Sequence, residues 1–393
     1  MIERTLQSTL LMRAGHFPAV TVTGPRQSGK TTMCRMAFPE KPYVSMEPPD
    51  IRSFATADPR GLLAQHPGGA IIDEVQRVPD LLSYLQVELD AQPAPGRFIL
   101  TGSANFALLQ SVSQSLAGRT ALLTLLPLSH DEALRFPRQA DDLFTTLWRG
   151  GYPALFDRRL PPTEWLGAYV ATYVERDVRQ LLNVSDLLAF QTFLRLCAGR
   201  AAQLLNLSAL GADAGITHNT ARAWLSVLES SYIAFRLPPL HANLRKRLVK
   251  TPKLVFYDSG LLCYLFGIRE PEQLRHHPLR GAIFETWVIS EILKARVHRG
   301  LPASCWFYRD RKGEKIDLVI DRGDAMLLVE VKSGQTIAED AFPALMRAGA
   351  SVVSTAPGKP VRRILIYGGD ARARRHETEV IPWHELQNGG WSG

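Results

Sequence analysis

The feature that most constrains this chain is Gly24-Pro25-Arg26-Gln27-Ser28-Gly29-Lys30-Thr31, which directly follows the run Val20-Thr21-Val22-Thr23. A glycine-bounded loop of this spacing, closing on Lys-Thr between a strand and a helix, is a phosphate-binding loop. Its glycines permit backbone torsions that turn successive N–H groups into an anion nest, and the N-terminus of the following helix adds positive potential. In such a site Lys30 reaches the β- and γ-phosphates and the Thr31 hydroxyl binds magnesium, so ATP with Mg2+ is the expected cofactor. Gly24, Pro25, Arg26, Gln27, Ser28, Gly29, Lys30 and Thr31, with the adjoining Thr32, are the expected nucleotide contacts. The chain is therefore expected to carry a parallel α/β sheet.

Ala70-Ile71-Ile72-Asp73-Glu74 supplies the second half of the site. A buried strand ends in Asp73, placed to hold the metal through water, and Glu74 beside it is the expected base for the attacking water, a surface carboxylate being the alternative. A third strand, Phe98-Ile99-Leu100-Thr101, leads into Gly102-Ser103-Ala104-Asn105. There Ser103 or Asn105 is suited to sense the γ-phosphate, with helix capping as an equal reading. The guanidinium of Arg119 is a candidate for transition-state charge stabilisation, in its own chain or a neighbour's site, or else an ordinary surface ion pair.

At 393 residues the chain exceeds what one core serves. Strand-like runs at 19–23, 70–72 and 97–101 alternate with helix-length segments to about residue 128. Stretches such as 163–183 and 186–206 then carry apolar residues at helical spacing, and short apolar strands return after residue 300. The expected division is an ATPase domain over 1–160, a helical and winged-helix region over 161–255, and a smaller α/β domain over 256–393. No apolar run approaches the roughly 20 residues of a membrane helix and the N-terminus has no secretion-signal pattern, so a cytoplasmic protein is expected. The four cysteines are too far apart for a zinc or redox motif. A formal charge of +8 suggests an anionic partner, nucleic acid and DNA in the first instance.

Residues 207–225 read as helix, glycine turn, helix, with Ser208 and Thr217 as N-caps. If the second helix enters a major groove, His218, Asn219, Arg222 and Ser226 are the contacts. Arg245, Lys246 and Arg247, with Lys250 and Lys253, follow where a wing would lie and suit phosphate contact, or form a solvated basic face.

In the C-terminal part, Glu285 lies on an amphipathic helix, and Asp317 and Glu330 lie on strands separated by 13 positions, as a hairpin requires. Lys332 leaves the same strand face as Glu330. Such a group suits phosphodiester hydrolysis: Asp317, Glu330 and the Val331 carbonyl as magnesium ligands, Lys332 orienting water, and Glu285 completing the acidic cluster. Taken alone, Glu330-Val331-Lys332 also fits a solvated strand face. Arg309, Arg311 and Lys312 precede the cluster as candidate guides for a phosphate backbone or as a solvated turn.

Together, the loop at 24–32, Asp73-Glu74-Val75-Gln76, Leu100-Thr101-Gly102-Ser103, Leu116-Ala117-Gly118-Arg119, Pro127-Leu128-Ser129, Gly150-Gly151-Tyr152-Pro153 and Tyr173-Val174-Glu175-Arg176-Asp177 resemble a prokaryotic family of AAA-type ATPases. In that family the ATPase is followed by a domain of unknown function, DUF4143. The resemblance covers nearly the whole chain. It implies an AAA-like core, a winged-helix segment and a C-terminal region similar to the PD-(D/E)xK nuclease fold, whose pattern Glu285, Asp317, Glu330 and Lys332 would fill. AAA-type cores often form rings, so a homo-oligomer is a further expectation. The overall expectation is an ATPase that gates a nuclease-like domain on nucleic acid. The competing one is a nucleotide-dependent switch or scaffold whose C-terminal domain binds a protein partner.

Overall fold

The computed structural model describes residues 1–103, 115–137, 142–174, 186–240, 251–310, 313–339, 341–353 and 358–392, without the side chains of 173, 174, 344 and 353. Five strands, β1 (Ala19–Thr23), β2 (Tyr43–Ser45), β3 (Ile71–Asp73), β4 (Phe98–Thr101) and β5 (Thr120–Thr124), form a parallel sheet in the order β2-β3-β4-β1-β5. Strands β1, β3 and β4 are buried along their whole length, because parallel crossovers lay helices on both faces. Leu6, Leu10 and Met33 pack on one side, and Leu81, Leu82 and Leu85 on the other. The order places the end of β4 between the loop after β1 and the acidic end of β3. That is where a doubly covered parallel sheet gathers loops for a ligand.

The expected helical middle is present. A helix over Leu187–Gly199 packs through Phe190 and Phe193 edge-on against Trp224 of the helix His218–Ser230, with ring centroids 5.4 Å apart. The shorter helix Leu207–Asp213 begins two residues earlier than a Ser208 cap would give. Asn206, not Ser208, caps it, accepting from Ser208 N and Ala209 N at 3.1 Å each. Thr217 caps the second helix as expected, and Gly215 makes the turn at φ 68°. An antiparallel pair follows, β6 (Ala234–Leu237) and β7 (Lys253–Phe256).

The C-terminal sheet is mixed. Its strands are β8 (Cys305–Arg309), β9 (Lys315–Asp321), β10 (Met326–Lys332), β11 (Val361–Tyr367), β12 (Ala373–Arg375) and β13 (Thr378–Pro382), in the order β12-β13-β11-β10-β9-β8. The helix Arg280–Val297 packs on the Leu318, Ile320, Leu327 and Val329 face, and Leu345, Ala348 and Val352 of the helix Ala341–Val353 pack on the opposite one. No helix among the described residues is long and apolar enough to cross a membrane.

Candidate nucleotide site and C-terminal charge cluster

The loop after β1 is shaped by its glycines. Gly24 sits at φ 146°, and a Cβ there would lie 2.1 Å from the Leu125 carbonyl oxygen, so this close approach admits no side chain. Gln27 and Gly29 also take positive φ before the helix Lys30–Ala37 opens. Lys30 is buried, and its Nζ donates to the carbonyls of Gly24 at 3.1 Å and Pro25 at 2.8 Å. Burial lowers its pKa to about 8, against the opposing pull of Glu74 and Asp73.

Asp73 ends β3 and is surrounded by hydroxyls. Thr31 Oγ1 donates to both carboxylate oxygens at 3.1 and 3.0 Å, Tyr43 donates at 2.7 Å from β2, and Thr101 donates from β4. Burial, reinforced by this bond to Asp73, pushes the Tyr43 phenol up to about 12. Glu74 stands at φ 56° just beyond the strand, where Gln76 Nε2 donates to it and also to Ser103 Oγ at 2.9 Å. Sequence reasoning missed Tyr43, Thr101 and Gln76.

A cavity of about 350 Å³ is lined by Gln27, Lys30 and Thr31 and by the apolar Ile2, Met36 and Phe136. The size suits a nucleotide. Ser28 Oγ, buried beside it, has no hydrogen-bond partner among the described residues, as expected of a group placed for a phosphate oxygen. Pro25, Arg26 and Thr32 lie in the same loop and first helical turn.

The register corrects the expectation for Arg119. It precedes β5, whose Thr120 pairs with Ala19 at the N-terminal end of β1, so Arg119 lies at the opposite end of the sheet from the loop. Its guanidinium is held by Asp90, with Nη2 to Oδ2 at 2.8 Å. It does not reach the nucleotide site of its own chain. Asn105 lies outside the described residues, as do Glu175-Arg176-Asp177.

Arg4 is the other residue that sequence reasoning missed. Buried, it donates to the Ser28 carbonyl at 2.8 Å and the Leu126 carbonyl at 2.9 Å, and pairs with Glu132 at 3.0 Å. Burial alone would raise the Glu132 carboxyl, but Arg4 overrides it and holds the group well below the usual carboxylate range. Glu132 lies 3.6 Å from His298 at the end of the helix Arg280–Val297, and His298 Nε2 accepts from Leu126 N at 3.1 Å. Burial lowers the His298 pKa to about 3, so it is neutral at pH 7. Glu291 of the same helix accepts from His130 N at 2.6 Å, and Lys294 donates to Leu128 O at 3.0 Å. The phosphate loop is thus bonded through Arg4 to the segment on which the C-terminal helix rests.

In the C-terminal domain Leu318 pairs with Val329, so Asp317 and Glu330 are the next residues along the hairpin. Glu285 reaches them from the helix. The carboxylates expected to hold a metal, Glu285, Asp317 and Glu330, each stand beside a lysine. Lys253 Nζ stands 2.6 Å from Glu285 and 3.7 Å from Asp317, Lys315 lies 3.2 Å from Asp317, and Lys332 donates to Glu330 at 2.8 Å. Asp317 Oδ2 also accepts from Val331 N at 3.1 Å. Burial and the nearby Asp317 raise the Glu285 pKa to about 7, and the same two causes raise Glu330. Among the described residues no three His, Cys, Asp or Glu side chains are arranged as a metal-ligand set. Lys253 is also corrected as a phosphate contact: its side chain is 7% exposed and turned inward.

On the helix His218–Ser230, Asn219, Arg222 and Ser226 are exposed on one face, opposite the buried Ala221, Trp224 and Leu228, while His218 is half-buried. Arg245, Lys246, Arg247 and Lys250 lie outside the described residues, as do Arg311 and Lys312. Arg309 is exposed at the end of β8.

Residues 16–134 match the model of an AAA domain, and residues 140–272 and 280–386 match two domains of unknown function, DUF8612 and DUF4143. Two uncharacterised proteins, one from Mycobacterium bovis and one from Mycobacterium tuberculosis, are each 30% identical over 99% of this chain and 86% of their own length. Among solved structures, a Walker-type ATPase of Pyrococcus abyssi aligns with 66% of this chain and 94% of its own at 15% identity and a TM-score of 0.45. A RuvB variant of Thermotoga maritima aligns with 59% and 86% at 18% identity and a TM-score of 0.29.

Proposed function

The chain belongs to the family that joins an AAA domain to a C-terminal DUF4143 region, and from that premise we propose that it is an ATP-hydrolysing switch whose nucleotide state is passed to the C-terminal domain. One observation carries this. Among the described residues Lys30, which lines a cavity of nucleotide size, is bonded only to backbone carbonyls, and the Asp73 carboxylate only to hydroxyls. On this reading the Lys30 ammonium and loop amides take phosphate, and Thr31 and Asp73 take a magnesium ion. That ion would neutralise phosphate charge. Glu74, freed from Gln76, is the base for the attacking water, and Ser103, which shares Gln76, is the group beside the γ-phosphate. Movement of the Ser28 peptide on binding would be felt at Arg4 and so at Glu132 and His298.

The test is Glu74→Gln, which retains shape and removes the base. ATP binding should persist while turnover falls by roughly 10²-fold or more. Hydrolysis at the parent rate would end the assignment of Glu74. In a closed ring Arg119 would act on the neighbouring subunit's site, and sedimentation with and without ATP tests for that assembly.

A second reading, an ATP-driven protein that cuts DNA, is favoured by the convergence of Glu285, Asp317, Glu330 and Lys332 and by the exposed Asn219 and Arg222. Divalent-cation-dependent cleavage abolished by Asp317→Ala would establish it. Salt-dependent duplex binding weakened by Arg222→Ala, without cleavage, would leave DNA as a partner only.

A further inference from the structure

We infer that Lys253 is the resident counter-ion of the C-terminal acidic cluster, and that Glu285, Asp317 and Glu330 take up no divalent cation while its ammonium is in place. The fold family implied by the order of these carboxylates would put a metal ion there; the donor set around them does not fit one. Three carboxylates face three lysines, so the cluster carries no net negative charge. A divalent cation between Glu285 and Asp317 would sit beside the Lys253 ammonium, where repulsion in a buried site is strong. Lys315 and Lys332 are 49% and 39% exposed and can swing into water, whereas Lys253, at 7%, cannot.

Lys253 is also held from behind. Its strand β7 pairs with β6 on one side, and on the other a bridge joins Lys253 to Leu204, with Leu205 N donating to Pro252 O at 2.8 Å. The ammonium lies 5.4 Å from the centre of the Phe307 ring on β8, which adds a cation–π contact. A lysine clamped at the backbone and stacked along its path loses little further freedom in reaching the carboxylates. It belongs to the helical middle region by its strand and to the C-terminal domain by its side chain, so displacement of β7 is the motion that would empty the position.

The experiment is a Mn2+ titration of the full-length, nucleotide-free chain, with free Mn2+ counted by electron paramagnetic resonance. The proteins are the parent, Asp317→Asn, Lys253→Met and the double variant. The parent should bind no Mn2+ that Asp317→Asn removes. Lys253→Met should gain a Mn2+ site, tighter than anything in the parent by roughly tenfold or more, and the double variant should lose it. Lys253→Gln, an uncharged side chain that can still bond Glu285, replaces the methionine variant if that one does not fold. An Asp317-dependent Mn2+ site in the parent overturns the inference, and so does a folded Lys253 variant that gains no site. ATP turnover on the same preparations reports on the nucleotide site alone, so the two readings fail separately.

Discussion

Two sites in this chain are built from the same materials, lysine and carboxylate, and balanced in opposite ways. At the phosphate loop, Lys30 and Asp73 are near enough to influence each other, yet each is bonded to neutral groups, backbone carbonyls in one case and hydroxyls in the other. In the C-terminal cluster every carboxylate has a lysine within hydrogen-bonding distance. A buried charge whose partners are dipoles is stabilised enough to persist and remains available to an incoming ion. A buried charge paired with its opposite has already used its strongest interaction. The first arrangement is a receptor and the second is self-contained.

The largest expected effect separates them by function. Lys30→Ala should lower ATP turnover by roughly 10²–10³-fold, the scale seen when one preorganised charge-stabilising donor is removed. Lys253→Met should leave turnover within a few-fold of the parent. Equal losses in a steady-state assay would break the comparison.

Stability should separate them the other way. Asp317→Asn leaves Lys253 and Lys315 facing each other without their shared carboxylate, a loss on the order of 3–5 kcal/mol by denaturant titration. Asp73→Asn keeps hydroxyl partners for its amide and should cost about 1 kcal/mol or less while abolishing turnover.

The two sites should also answer pH in different windows. With the Lys30 pKa lowered to about 8, ATP affinity should fall as pH rises above that value, by up to about tenfold per unit, with proton uptake on binding visible by calorimetry in buffers of different ionisation enthalpy. Glu285 is a carboxyl raised from 4.5 to about 7. Between those values the folded chain holds a proton that the unfolded chain has released, so folding stability should decline as pH rises through that window. Glu285→Gln should flatten the decline.

What the sequence made legible follows from how local each signal is. The loop at 24–31, the strand ending in Asp73, and the order Glu285, Asp317, Glu330, Lys332 are contiguous or regularly spaced, and each chemistry-bearing residue lies on the element read for it. Arg4, Tyr43, Thr101 and Lys253 carry no such signal. Their roles come from partners 24 or more positions away, set by the strand order and by the meeting of β7 with the C-terminal sheet. Lys253 was readable only as the end of a basic run because periodicity tells nothing of a long side chain that crosses into another domain. Arg119 misled for the complementary reason: its neighbours in sequence place it near the core, and only the parallel register with β1 shows that it stands at the wrong end.

Tyr43 is the finest point on which the comparison can be sharpened, because its hydroxyl is one of the dipoles that hold the Asp73 carboxylate. It donates to Oδ2 from the edge strand β2, while Arg35 lies 5.0 Å over its ring. Tyr43→Phe removes that hydrogen bond, keeps the ring, and leaves Thr31 and Thr101 still donating. The expected cost is about 1 kcal/mol, read as a several-fold rise in the Mg2+ concentration needed for half-maximal turnover, with ATP affinity in the absence of metal unchanged. An unchanged Mg2+ requirement would mean that Thr31 and Thr101 alone hold Asp73 in position. A matching loss of metal-free ATP affinity would assign Tyr43 to the nucleotide and not to the carboxylate.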